Sequence, residues 1–304
     1  MKVIEKKKYW FILSGCIILI GILSLIFRGF NYDIDFIGGT YLEVNLHQDV
    51  KDYSDITAIV KDVTGDSNPK VQAVTGNGGE NMVSIKVKEI STDKIDELYG
   101  KIADKYGLDK DGKSDLVEQS SISSLVSGEM KRAAILSTII AGILMLIYIT
   151  IRFRDVAFGL GALVPLIHDV LIMVSFYTIL QIPINNSFIV ALLAIVGYSI
   201  NNTIVVFDRI RENRKYYKKD DLESLCDDSI MQTLGRSLAS SFTTIITVVF
   251  LVILGVESLR WFALALLIGL LAGTYSSIFI ASPMWVILER AFHKTKARST
   301  SKRR

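Results

Sequence analysis

The chain has 304 residues, half of them hydrophobic, with a formal net charge of +3. Apolar runs of about eighteen residues or more recur, each long enough to cross roughly 30 Å of hydrocarbon, which excludes a single water-soluble domain. Only two cysteines and three histidines occur, and no GxxxxGK[ST] loop, so a disulfide framework, a zinc site and nucleotide hydrolysis are all unsupported; no metal, cofactor or enzymatic activity is expected.

Six spans are expected, at 9–27, 133–151, 157–180, 184–207, 238–256 and 260–288. The first is too long in its apolar core, and lacks an A-x-A-like site, to be a cleavable signal. Lys and Arg near span ends orient such a chain. Four precede the first span, Arg152 and Arg154 follow the second, seven lie between Arg209 and Arg236, and seven between Arg290 and Arg304. The loops 181–183 and 257–259 carry none. With six spans, all those cations fall on one side, so both termini (1–8 and 289–304) and the loop 208–237 are expected in the cytoplasm. Residues 28–132 are expected outside, with nineteen Asp or Glu against thirteen Lys or Arg, a balance that speaks against nucleic acid as a partner.

After the first span comes NYDIDFIGG, Asn31 to Gly39, with Asp35 before two glycines. Gly38 and Gly39 either allow a close backbone approach or simply make a turn; both readings stand. Thr40 to Leu46 alternates as a strand. Asp52 to Val63 has helical spacing, with Ile56, Ile59, Val60 and Val63 on one side. Lys70 to Thr75 and Met82 to Lys88 read as a hairpin joined through GNGGEN, and Ser91 caps a helix running to Tyr106. A last strand lies around Asp115 to Ser121. Strand, helix, strand, strand, helix, strand is the ferredoxin-like split βαβ order, an α+β domain of about eighty residues suited to binding something outside the membrane.

In the third span His168 and Asp169 form an ionisable pair inside hydrocarbon, which is either a functional site or a packing device for a neighbouring helix. The fourth span ends in GYSINNTIVVFDRIRENR, Gly197 to Arg214. At 100° per residue, Tyr198, Asn201, Asn202, Val205, Asp208 and Arg209 fall within about a third of the circumference, so one face of this helix is polar and should look at other helices or water. The basic run after it, which includes Arg209 and Glu212, reads foremost as an orientation anchor, with RNA, anionic lipid or a partner protein as other contacts it could make. Glu223 to Gly235 is expected as an amphipathic helix delivering Arg236 to the membrane. In the fifth span Ser240, Thr243 and Thr247 continue that arginine's stripe, to line a wet path or to bond across a helix pair. In the sixth, Ala265, Gly269 and Gly273 at four-residue spacing form a face for close helix packing.

GYSINNTIVVFDRIRENR, together with IHDV in the third span, DFIGG after the first, GEMKRAAIL before the second and LGRS before the fifth, resembles the SecF family of bacterial protein-export subunits over nearly the whole length. That resemblance implies half of an RND-superfamily transporter in the bacterial cytoplasmic membrane. It would be completed by SecD, work beside the SecYEG channel with YajC as a further partner, and handle secreted preproteins using an ion gradient. One departure stands out. The family generally has Asp where this chain has Asn202, and that carboxylate, with the arginine matching Arg236, is the family's proposed ion-conducting element. An amide cannot cycle between charged and neutral forms. Three accounts follow: SecD carboxylates alone carry protons, Asp169 or Asp208 takes over, or Asn202 serves as a neutral ligand to another cation. Asp208, near the cytoplasmic end, is expected to pair with Arg209 or Arg211. The competing functions are a scaffold for SecD without its own ion path and a small-molecule or lipid exporter half.

Overall fold

The computed structural model describes residues 2–50, 52–75, 80–110, 113–218, 220–255 and 257–301. Residues 76–79 of the expected hairpin loop and Lys219 of the basic run lie outside them. In chain order the elements are α1 (Lys7–Arg28), α2 (Ile34–Ile37), β1 (Gly39–Asn45), α3 (Ser54–Thr64), β2 (Lys70–Thr75), β3 (Asn81–Val87), α4 (Thr92–Tyr106), β4 (Leu116–Ile122), α5 (Ser124–Phe153), α6 (Val156–Leu180), α7 (Asn186–Asn213), α8 (Leu222–Leu254), α9 (Glu257–Phe279) and α10 (Ala281–Ser301). Among the described residues six helices are long and apolar enough to cross a membrane, α1 and α5 to α9. The protein is a multi-pass membrane protein with a small sheet between its first two membrane helices.

The sheet runs β2-β3-β1-β4 with every neighbouring pair antiparallel. Its alternation places Leu42, Val44, Val83, Ile85 and Val87 on a face covered by Ile56, Val60 and Val63 of α3 and Ile95, Leu98, Tyr99 and Ile102 of α4. Among the described residues fourteen are buried in this core, which stabilises the unit through the apolar surface it removes from water. Ser91 holds the position before α4 as expected, but its side chain caps nothing. Asp66, after α3, accepts the backbone N–H groups of Asn68 (3.1 Å) and Lys88 (3.0 Å), tying the α3–β2 turn to the end of β3. Burial opposes ionisation of Asp66, yet those two amides outweigh it and hold the carboxyl below its ordinary range.

The membrane helices depart from the expected spans in three places. Helix α5 starts at Ser124 rather than 133, because Ser123 accepts the Val126 N–H and sets the helix start directly after β4. The amphipathic segment from Glu223 and the fifth span are one unbroken helix, α8, since nothing between them interrupts the backbone ladder. Conversely the sixth span, expected as one helix over 260–288, is divided at Ile280 into α9 and α10. Pro283 supplies the reason: it has no N–H to give the Phe279 carbonyl and its ring crowds that group.

Helix α7 packs along α9. Gly269 lies against Ile195, and a Cβ on Gly273 would fall 3.1 Å from the Cβ of Ser199, so the small-residue face of the sixth span is a packing face. At the end of the bundle away from the sheet, Arg214 pairs with Glu289 and approaches Asp155 (3.7 Å), joining α6, α7 and α10.

Candidate functional site

Two structures concentrate the polar chemistry: a buried cluster in the bundle, and the segment that joins sheet to bundle. The cluster is built on α6. Asp169 is fully buried and His168 nearly so. His168 Nδ1 lies 2.9 Å from Asp169 Oδ1; Ser199 Oγ of α7 (2.5 Å) and Ser276 Oγ of α9 (2.9 Å) both donate to Asp169 Oδ2. His168 Nε2 meets Ser14 Oγ of α1 at 2.9 Å, Ser14 donates to the Tyr275 hydroxyl at 3.3 Å, and Tyr275 donates to the Trp10 carbonyl at 2.9 Å. The Tyr275 and His168 rings stack at 5.9 Å. Four helices therefore converge on the His168–Asp169 pair. The expected spans, taken from residue 261 in the sixth, contain no Asp, Glu, Lys, Arg or His besides this pair. A lone charge there would cost several kcal/mol, which explains why every oxygen of Asp169 is occupied.

The sequence pointed to His168 and Asp169 but not to Ser14, Ser199, Tyr275 and Ser276. Isolated hydroxyls in apolar helices are common, and only the packing of α1, α7 and α9 onto α6 singles these out.

The polar face of α7 is divided. Asn202 is buried and its amide donates to Ser241 Oγ of α8 (3.1 Å), whereas Gly197 and Asn201 are exposed. Tyr198 reaches the Ser240 carbonyl and Thr244 Oγ1 of α8, both at 3.4 Å. Arg236 is exposed, as are Ser240, Thr243 and Thr247. Thr243 and Thr247 donate to carbonyls of their own helix, at 2.9 and 3.0 Å, rather than across a helix pair. Asp208 pairs with Arg152 of α5 (3.2 Å) and not, as expected, with Arg209 or Arg211. Position, not sequence distance, decides this: the end of α5 passes beside Asp208, while Arg209 turns to Glu212 (2.9 Å) and Gln232 (2.5 Å).

The segment after α1 is a clasp. Asn31 donates to the Gln181 carbonyl (2.8 Å), Asp33 N–H donates to the Ile184 carbonyl (3.0 Å), and Ile184 N–H donates back to Asn31 (2.8 Å), all in the α6–α7 turn. Asp35 accepts the N–H of Asn186 at 2.7 Å, the first residue of α7, where a helix presents unsatisfied donors. On the other side Lys86 of β3 pairs with Asp33 (2.8 Å) and Lys70 of β2 donates to Asn31 (3.0 Å). Gly38 (φ 75°) and Gly39 (φ 141°) then turn the chain into β1, and a Cβ on Gly39 would lie 2.5 Å from the Val87 carbonyl oxygen. The fold uses both readings of these glycines: the pair turns the chain at positive φ, and Gly39 admits the Val87 backbone at close range.

A bundle of six membrane helices with the buried Asp169 among them, clasped to an α/β unit held between the first two membrane helices, has the architecture of a membrane-embedded transport component. Comparison with known proteins gives the particular family. The profile of the SecD/SecF GG motif matches residues 23–50, which hold the clasp, and the profile of the protein export membrane protein SecD/SecF C-terminal region matches residues 104–291. The chain is 34% identical to the protein translocase subunit SecF of Sebaldella termitidis, over 95% of this chain and 92% of that one. It is 35% identical to SecF of Alicyclobacillus acidocaldarius, covering 93% and 91%. The crystal structure of SecDF from Thermus thermophilus, a translocon-associated membrane protein, superposes with a TM-score of 0.84 at 29% identity; the match covers 95% of this chain and 39% of that longer one. The chain belongs to the SecD/SecF family of protein-export membrane proteins, and its role is that of a Sec translocase subunit rather than an enzyme.

Proposed function

We propose that this subunit works in the bacterial cytoplasmic membrane as one half of a complex with SecD, beside SecYEG and with YajC as a further partner, and that the complex assists preprotein export at the expense of an ion gradient. In this reading both termini are cytoplasmic and residues 28–132 form an external ferredoxin-like domain. Its support is the β2-β3-β1-β4 antiparallel order with both helices on one face. Partnership with SecD draws on the naming of relatives as SecDF, on the match to 39% of a SecDF chain, and on one observation above all: the stripe Arg236, Ser240, Thr243 and Thr247 lies open along α8. Polar groups at membrane depth belong against protein or water, so a second helix bundle on this face satisfies what the chain alone leaves exposed.

Cysteines placed at Ser240, Thr243 and Thr247 in a background without Cys16 and Cys226 test this directly. They are expected to cross-link to SecD in assembled membranes, while cysteines at Ile139 and Ile143 of α5 are not. Reaction of the α8 positions with a lipid-phase reagent in the assembled complex, without cross-links to SecD, would refute the interface. For orientation, a cysteine at Asp104 should react with an impermeant thiol reagent outside intact cells, and one at Lys215 only after permeabilisation.

A scaffold without its own ion path is favoured by a separate observation, the amide at Asn202 bonded to Ser241 while Arg236 is exposed. Ion flux and export in vesicles of the complex, comparing wild type with Asn202→Asp under separate proton and sodium gradients, distinguish the two. If wild type is inert and the aspartate restores coupling, the scaffold reading stands.

A further inference from the structure

The hydrogen-bond inventory of the α6 cluster fixes where its protons sit. The Trp10 carbonyl can only accept, so the Tyr275 hydroxyl spends its hydrogen there; the Tyr275 oxygen therefore accepts from Ser14. Ser14 has then used its own hydrogen, and the contact with His168 Nε2 at 2.9 Å requires an N–H on that nitrogen. This leaves His168 Nδ1 facing Asp169 Oδ1 at 2.9 Å. A neutral imidazole protonated at Nε2 carries only a lone pair at Nδ1, and a carboxylate carries only lone pairs, so the contact needs one further proton. Imidazolium with carboxylate, or neutral imidazole with carboxylic acid, both meet that need, and both leave the pair without net charge.

We propose that the His168–Asp169 pair is an exchangeable proton site whose emptying switches Ser14 from Tyr275 to His168. When one proton leaves, the imidazole keeps a single hydrogen, held at Nδ1, where it donates to Asp169. Nε2 is then bare, and the Ser14 hydroxyl rotates to donate to it. The Ser14–Tyr275 bond between α1 and α9 is lost in that step. From either starting form one proton leaves, the single hydrogen left on the imidazole rests at Nδ1, and the cluster becomes singly negative. Such a charge at this depth is costly, so the emptied site readily takes up another proton. The side chains bonded or stacked on the pair are Ser14 from α1, Ser199 from α7, and Ser276 and Tyr275 from α9; Tyr275 is the titratable one among them. The proposal deepens the gradient-coupling reading, resting on it for purpose, while the proton site rests on the cluster's geometry.

The test is solid-state nitrogen NMR of the full chain in lipid vesicles, ¹⁵N-labelled at histidine, with His47→Gln and His293→Gln so that His168 is the only imidazole. Between about pH 5 and 9, where an imidazole can report, Nε2 is expected to change from protonated to bare. Tyr275→Phe frees Ser14 to donate to Nε2 and favours the emptied state. It should lower the midpoint by about half to one pH unit, the equivalent of one ordinary hydrogen bond. A His168 that keeps one state throughout, or a midpoint that Tyr275→Phe leaves in place or raises, overturns the site. Export by the complex under a proton gradient, compared between wild type and Asp169→Asn, tests the coupling reading separately. Loss of gradient-driven export supports it; unchanged export beside a titrating pair overturns coupling while leaving the proton site intact.

Discussion

Replacing Gly273 by Ala probes how α9 delivers its neighbour Ser199 to Asp169. The added Cβ would lie 3.1 Å from Ser199 Cβ, 3.3 Å from its Oγ and 3.4 Å from its Cα, whereas carbon atoms in good contact stand about 3.5–4.0 Å apart. Backbone lies among those atoms, so relief requires α7 and α9 to separate by a few tenths of an ångström. Overpacking of this kind costs about 1–3 kcal/mol. Moving Ser199 also weakens its 2.5 Å bond to Asp169, a hydrogen bond to a charged or shared-proton acceptor whose full loss is about 1.5–3 kcal/mol. Alanine returns at most about 1 kcal/mol of helix propensity, so the net expectation is destabilisation by about 1–3 kcal/mol. Gly197→Ala is the control, because a Cβ there meets nothing within 4 Å. The assay is reversible unfolding in mixed micelles followed by tryptophan fluorescence, run as a double-mutant cycle with Ser199→Gly. Removing the Ser199 side chain relieves the overlap, giving a coupling of about 1–2 kcal/mol. A neutral Gly273→Ala, or a coupling near zero, would show that the α7–α9 contact does not position Ser199.

Two further outcomes concern the α/β unit and its clasp. Gly39→Ala combines a φ of 141° with a Cβ 2.5 Å from the Val87 carbonyl, and should destabilise the unit by at least about 1–3 kcal/mol in thermal unfolding; a loss within error would contradict the close approach. Asp66 has a folded pKa held below its unfolded value, so its contribution is present above the ordinary carboxyl range and is lost as pH falls through the folded pKa. Stability measured against pH should therefore decline in acid less steeply for Asp66→Asn than for wild type, and parallel curves would remove the role assigned to its two amide bonds.

The clasp gives the family's GG-motif region a mechanical meaning. Asn31, Asp33 and Asp35 hold the α6–α7 turn on one side and the sheet on the other, and α6 and α7 are the helices that carry Asp169 and Ser199. The clasp thereby ties the α/β unit to the two helices that hold the buried cluster.

The chain's own residues determined the membrane class, the strand and helix order between the first two spans, and the presence of an ionisable pair, His168 and Asp169, within the third span. Each of these depends on local pattern: apolar run length, period-two or period-3.6 alternation, and the cost of an ionisable group in hydrocarbon. The division at Ile280 was legible in principle from Pro283 but is masked by the continuous apolar composition around it. Tertiary structure alone decided the rest. Neighbouring Asn201 and Asn202 differ only by 100° of rotation, yet one is exposed and the other buried against Ser241, because the position of α8 and not the residue type sets that boundary. Asp208 finds Arg152, fifty-six residues away, instead of the adjacent arginines. Ser14, Ser199, Tyr275 and Ser276 become one hydrogen-bonded network around the pair only when four helices meet, since hydrogen bonding is decided by distance in space and a lone hydroxyl in an apolar helix carries no mark of the carboxylate it will face.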